Sequence, residues 1–165
     1  MADNSLKAVY LSQLQTMASA DRQSLELTRQ LRDRASDDAL REALENGTCG
    51  IEEGLEKVLS VLEKHGSGDG NAPVSEAMAG LVADTKARVF DADLPDDAGR
   101  DAAIIAQYMH VTYYGLAGYK TLSEFAKRLG LSDDADTLQT CYENAQDGQS
   151  DMHDLLSGKA LEKAA

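Results

Sequence analysis

Very little in this chain would interrupt, crosslink or anchor a set of helices. Tryptophan is absent, and proline and cysteine occur twice each in 165 residues. With so few prolines, long stretches are free of the residue that removes a backbone donor and breaks helices. Cys49 and Cys141 stand apart with no Cys-x-x-Cys spacing, so neither a zinc site nor a disulfide framework is indicated. Unpaired thiols fit a reducing compartment, and the expected location is cytoplasmic. No clean run of alternating β-branched residues suggests a strand. No apolar run reaches the roughly 20 residues that span a bilayer, and the opening MADNSLKAVY lacks the basic-then-apolar order of a signal peptide. No membrane partner is expected. Basic residues are the scarcer charge, 16 Lys and Arg against 29 Asp and Glu, for a formal net charge of -13. An acidic surface repels phosphates rather than displacing their counterions, so nucleic acid is not an expected partner either.

What is present favours helix. The chain is 42% hydrophobic, with a surplus of Ala, Leu, Glu and Asp over residues that prefer sheet. Its length suits one core, and a single domain over residues 1–165 is expected. Asn4 or Ser5 can cap a first helix to about Ala35, with a stripe of Leu6, Tyr10, Leu14, Met17, Leu27 or Thr28, and Leu31 at steps of three and four. Ser36-Asp37-Asp38 reads as the start of a second helix to about Lys64, with Leu40, Leu44, Ile51, Leu55, Val58 and Leu62 inward and Gly66 as its stop. His65–Val74 is a loop, and Ser75–Phe90 a shorter helix. Its apolar side has little obvious core left to cover, which makes it a candidate dimer surface. A break at Asp91–Asp96 precedes a third main helix over Asp97–Leu129, ended by Gly130. Leu131-Ser132-Asp133-Asp134 then opens a fourth, carrying Leu138, Cys141, Tyr142, Ala145, Met152 and Leu155 inward. It frays after Gly158. The expected fold is all-α: an up-down-up-down four-helix bundle with one additional short helix.

In such a bundle the facing helix positions are where metals and cofactors are held. The stretch Gln107–Tyr119, QYMHVTYYGLAGY, lies midway along the third main helix and concentrates tyrosines, a histidine and two glycines. A di-iron centre needs carboxylates from two helices and a Glu-x-x-His pair from each of the other two, and no Glu-x-x-His occurs here. His65, His110 and His153 are scattered, and His65 sits at a helix end where a cation complements the dipole. Asp21 is harder to dismiss, because it falls on an otherwise apolar stripe and a buried carboxylate must be paired or metal-bound. Either it ligates a cation, or helix curvature, Arg22 or a tyrosine hydroxyl accommodates it. Gly47, Gly50 and Gly54 share a face of the second helix, although each glycine there costs about 1 kcal/mol relative to alanine. Gly115, Gly118 and Gly148 continue the habit. Such glycines admit a close neighbour, with Tyr108, Tyr113, Tyr114 and Tyr142 as candidates, or they open a cavity for a flat ligand.

Several segments together resemble the YciF/YciE-like ferritin-like proteins. They are VYLSQLQTMASADRQSLELTRQL at Val9–Leu31, IEEGLEKVLSVLEKHG at Ile51–Gly66, AMAGLVADT at Ala77–Thr85, RDAAIIAQYMHVTYYGLAGYKTLSEFAKRLG at Arg100–Gly130 and DADTLQTCYENAQDGQSDMHDL at Asp134–Leu155. The most specific parts are RDAAIIAQ and the AGY-x-TL stretch at Ala117–Leu122. The resemblance implies a bacterial, often stress-induced ferritin-like bundle that forms a homodimer and in typical members holds two metal ions. Placed residue by residue, the usual first-helix Glu is Asp21, the acidic pair of the second helix is Glu45 and Asn46, and its later ligand is Gly50. The Glu-His pair of the next helix is replaced by Thr112 and Tyr113, a following Glu by Gly115, and the last acids fall near Glu143, Asn144 and Ala145. Only Asp21, Glu45 and Glu143 keep a carboxylate there.

Three expectations follow for function. The first is a non-enzymatic, stress-associated dimer whose ancestral di-iron centre has been lost. The second is a protein holding iron or manganese on a reduced set of Asp21, Glu45 and Glu143. The third is a bundle lodging a small organic molecule beside Gly50, Tyr108, Thr112, Tyr113 and Tyr142. No catalytic residue is assigned, and an oxidase needs more ligands than three lone carboxylates to bridge two irons.

Overall fold

The computed structural model describes residues 2–67 and 73–158. Five helices follow one another: α1 (Ala2–Arg34), α2 (Asp38–Lys64), α3 (Glu76–Thr85), α4 (Asp97–Arg128) and α5 (Ser132–Ser157). No strand occurs among the described residues. A π-helical turn, Lys86–Phe90, continues α3 without a break. The boundaries agree with the sequence signals to within a few residues, with two differences. Asn4 and Ser5 lie inside α1, which begins at Ala2. Leu131, and no polar side chain, is the N-cap of α5. Part of the expected loop His65–Val74 lies outside the described residues.

The helix ends explain the boundaries. The carboxylates of Asp37 and Asp96 accept from the N–H groups of Leu40 and Gly99, and the Ser75 hydroxyl accepts from that of Met78. Each satisfies a donor that the helix itself cannot. At the other ends, Gly66 and Gly130 take φ of 66° and 70°, a left-handed conformation that only glycine adopts cheaply. The N–H of Ser67 then reaches back to the Leu62 carbonyl, and that of Leu131 to the Ala126 carbonyl. Both are Schellman closures of α2 and α4.

Helix α1 packs on α2 and α4, and α5 packs on the same two. At one end of the bundle the start of α1, the end of α2 and the start of α5 meet: the Tyr10 hydroxyl donates to Asp134 (3.1 Å), and His65 Nε2 lies 2.6 Å from the same carboxylate. At the other end the turn between α1 and α2 meets the start of α4, where Asp101 accepts from the N–H groups of Ser36 (2.8 Å) and Asp37 (2.9 Å) and from the Ser36 hydroxyl. The alternating directions expected from the sequence therefore hold within the hairpins α1–α2 and α4–α5. Between them, α2 and α4 run the same way, and the connection carrying α3 crosses along the bundle, as in ferritin-like folds.

The crossover is fastened to the face made by α1 and α4. Ser75 donates its N–H to Ser19, accepts at its carbonyl from Gln23 and shares a hydroxyl bond with Tyr114. Met78, Thr85 and Val89 are buried there, with Leu81, Val82 and Phe90 partly covered. The apolar side of α3 thus has a core to cover after all. Two apolar clusters fill the bundle, one per end. The first centres on Tyr10, Leu14, Val58, Leu62, Leu122 and Leu138, the second on Leu27, Leu31, Leu40, Leu44, Ile104 and Met152. Each fully buried aliphatic side chain contributes about 1.5–3 kcal/mol. Where the two clusters meet, the interior is incompletely filled and carries a few polar side chains.

Candidate functional site

At that junction lies a chamber of ≈ 80 Å³ to which every helix contributes. Its floor comes from the buried residues Asp21 and Ser24 of α1, Met78 of α3, Tyr108, Val111 and Tyr119 of α4, and Cys141 of α5. The exposed residues Asn46 and Gly50 of α2 and Asn144 of α5 border its mouth. Its opening therefore lies between α2 and α5.

The glycines of α2 create this space, and each does so differently. A Cβ at Gly47 would stand 2.1 Å from the Tyr108 hydroxyl, and one at Gly54 would stand 2.5 Å from the Tyr119 hydroxyl. Real Cβ atoms do not come so close, so these two positions admit the tips of tyrosines reaching across from α4. A Cβ at Gly50 would meet nothing within 4 Å. Gly50 faces open chamber, one turn from each tyrosine seat. Of the tyrosines expected against these glycines, Tyr108 takes its place at Gly47, Tyr119 rather than an expected one sits at Gly54, and Gly50 borders open space. Gly118 plays the packing role on α4, where its missing Cβ leaves room for the Met17 sulfur.

Asp21 is buried, at 5% exposure, and the Tyr119 hydroxyl donates to its Oδ2 at 2.7 Å. Of the ways the sequence left open for this acid, a tyrosine hydroxyl is the partner found. Burial disfavours the carboxylate and pushes the pKa of Asp21 up to about 7, while the Tyr119 bond pulls against that rise. The Tyr119 phenol is pushed well above its ordinary value, first by burial and then by the adjacent Asp21. Burial alone takes Tyr108 up to about 12, and it takes the Cys141 thiol up to about 11 against the pull of the Lys57 charge. Tyr108, Tyr119 and Cys141 hold their protons at neutral pH, while Asp21 exchanges its own there.

Of the other sequence candidates, Gly50, Tyr108 and Thr112 border the chamber together with Asp21. Tyr113 is exposed and accepts from Gln149 (2.9 Å). The Tyr142 ring lies outside, beneath the Lys120 ammonium at 5.4 Å. Glu45 is exposed and paired with Arg32, and Glu143 accepts from Gln139 at an exposed position. The structure therefore does not bring Asp21, Glu45 and Glu143 together. Among the described residues no three His, Cys, Asp or Glu side chains are grouped so that they could hold a metal ion. The chamber has one carboxylate and no histidine on its wall. The donors present do not fit a di-iron or di-manganese centre, which needs several bridging carboxylates and imidazoles.

Sequence reasoning missed Tyr119, Lys57 and Cys141 as wall residues. Lys57 follows Gly54 by three positions and Gly50 by seven, so the glycine stripe at helical spacing already pointed to its face. Cys141, Ala145 and Gly148 keep the same rhythm on α5. The Tyr10–Asp134–His65 cluster was not legible either, because its members are 55 and 69 residues apart in the chain and meet only at the bundle end.

The family described as Domain of unknown function (DUF892) matches residues 5–165. The fold is that of the E. coli stress protein YciF, with a TM-score of 0.84 and 25% identity over 91% of this chain and 93% of that one. YcfI of Rhodopseudomonas palustris shares the fold with a TM-score of 0.82 and 22% identity, over 90% of this chain and 92% of that one. No curated protein matches the chain. With residues 5–165 matched by the family and the fold shared with YciF, the chain belongs to the DUF892 family as a YciF-like, ferritin-like member.

Proposed function

We propose that this chain is a stress-associated bundle protein, as YciF is a stress protein, that works without a di-metal oxidase centre and uses its central chamber to hold a small organic molecule. The observation that supports this is the wall of the chamber. Its mouth is bordered by Asn46, Gly50 and Asn144, and Asp21 is the one acid facing it. Small and neutral side chains at these positions remove metal donors and leave room for a guest. A mostly apolar cleft with a few convergent polar groups is the usual form of a small-molecule site. The other metal reading, a cation held jointly by Asp21, Glu45 and Glu143, lacks support because the last two bond elsewhere.

The proposal takes residues 1–165 as one domain, acting in the cytoplasm as a homodimer without a nucleic-acid or membrane partner. No helix among the described residues is long and apolar enough to cross a membrane. Light scattering on the purified protein checks the dimer. Metal content tests the central claim: protein expressed with added iron and manganese and purified without chelator is expected to carry far less than one ion per chain. Stoichiometric iron or manganese by mass spectrometry of the elements would overturn it.

A further inference from the structure

We propose that the guest of this chamber is a small monocarboxylic acid, its carboxylate held between Lys57 and Asp21 and its apolar tail lying along α2 toward Tyr108. The inference rests on the chamber reading above and adds the chemistry and orientation of the guest.

The chamber is not uniform along its length. Asp21, Tyr119 and Gly54 stand at one level, fixed by the Tyr119–Asp21 hydrogen bond and by the seat of Tyr119 at Gly54. Lys57, one turn further along α2, and Cys141 of α5 border the same end. The opposite end is set by the seat of Tyr108 at Gly47, with Met78 and Val111 on the wall. Ten residues of α2 separate Gly47 from Lys57, about 15 Å at 1.5 Å per residue. A cation and a titratable acid thus stand at one end of an otherwise largely apolar slot.

Lys57 decides the sign of the ligand. The chain has 29 acids for 16 bases, yet Lys57 makes no ion pair or hydrogen bond among the described residues. Its charge nonetheless acts on Cys141 across the slot. Lys57 as a whole is partly buried where it borders the chamber; a cation there attracts an anion, and a partly desolvated pair is worth more than one in water. Asp21 would repel that anion if ionised. Holding its proton, it donates to one carboxylate oxygen, so the guest and Asp21 share a single proton beside Lys57. Tyr119 from α4 bonds Asp21, Cys141 from α5 feels its charge, and Lys57 from α2 borders the same chamber; Tyr119 and Cys141 keep their protons throughout the neutral range. The chamber's ≈ 80 Å³ limits the buried part of the guest to a few carbons, since an apolar cavity of about 150 Å³ takes a benzene.

Calorimetric titration of the full chain with butyrate, 1-butanol and butylamine at pH 6 and pH 8 tests the proposal. Butyrate is expected to bind, more tightly at pH 6, with the alcohol and the amine at least about tenfold weaker. Lys57→Met should weaken butyrate about tenfold or more and leave butanol unchanged. Gly50→Leu, which fills the open space without touching a charged group, should abolish binding of all three. Butanol binding as well as butyrate, with no effect of Lys57→Met, would overturn the carboxylate while leaving the chamber reading intact. Butyrate binding that survives Gly50→Leu would place it elsewhere and overturn the inference, as would no binding of butyrate by a folded wild-type chain. The metal measurement above fails or succeeds independently of all these outcomes.

Discussion

Asp21 and the three glycines of α2 show how single residues set this interior. From its ordinary value of 3.8 the Asp21 carboxyl is raised to about 7 by burial. Between those values the unfolded chain is ionised at this position while the folded chain keeps its proton. Stability therefore falls as pH rises, by at most about 1.4 kcal/mol per unit, and levels off above pH 7. Asp21→Asn lacks this titration. Urea midpoints measured from pH 4.5 to 8 should show the wild type losing a few kcal/mol relative to the variant, and parallel curves would contradict the buried proton. The glycines predict opposite signs on one helix face. Gly50→Ala meets nothing and should raise stability by about 1 kcal/mol through helix propensity. Gly47→Ala and Gly54→Ala press on tyrosine tips held in a packed interior and should lower it by about 1–3 kcal/mol. Thermal melts of the three variants separate seats from open space.

Among the elements, the crossover decides how the helices can be connected. Because α2 and α4 run in the same sense, the chain must return the length of the bundle between them, and α3 is the covered part of that return. Asp101 holds the opposite end by accepting from both backbone N–H groups that lead into α2 and from the Ser36 hydroxyl. This gives a physical role to the RDAAIIAQ segment, one of the most specific of the sequence. Asp101→Ala leaves two N–H groups without their acceptor and should cost about 3 kcal/mol. In hydrogen exchange, the amides of Ser36 and Asp37 should be the first to lose protection. Unchanged protection there would mean that the turn is held by packing alone.

For the molecule as a whole, a net charge of -13 is distributed over a bundle whose ion pairs are mostly exposed. Exposed pairs contribute little each, so the collective self-repulsion of the acids outweighs them. Added salt screens that repulsion. The melting temperature should rise between about 0.02 and 0.5 M NaCl, as the screening length drops below the spacing of surface charges. A fall in that range would show that attractive pairs dominate instead.

The apolar spacing, the capping acids, Gly66 and Gly130 specified the helices and their ends, because these are local properties that a short segment carries by itself. The same local periodicity placed Asp21 on an inward stripe and put Gly47, Gly50 and Gly54 on one face. What that face met could be settled only by packing. The direction of α4 depends on a crossover that no segment encodes alone. The division of the glycines into two tyrosine seats and one opening depends on which side chains α4 brings opposite them. Lys57, Tyr119 and Asp21 border one chamber only because helices far apart in sequence close around the same space, and that closure sets both the proton on Asp21 and the shape of the chamber.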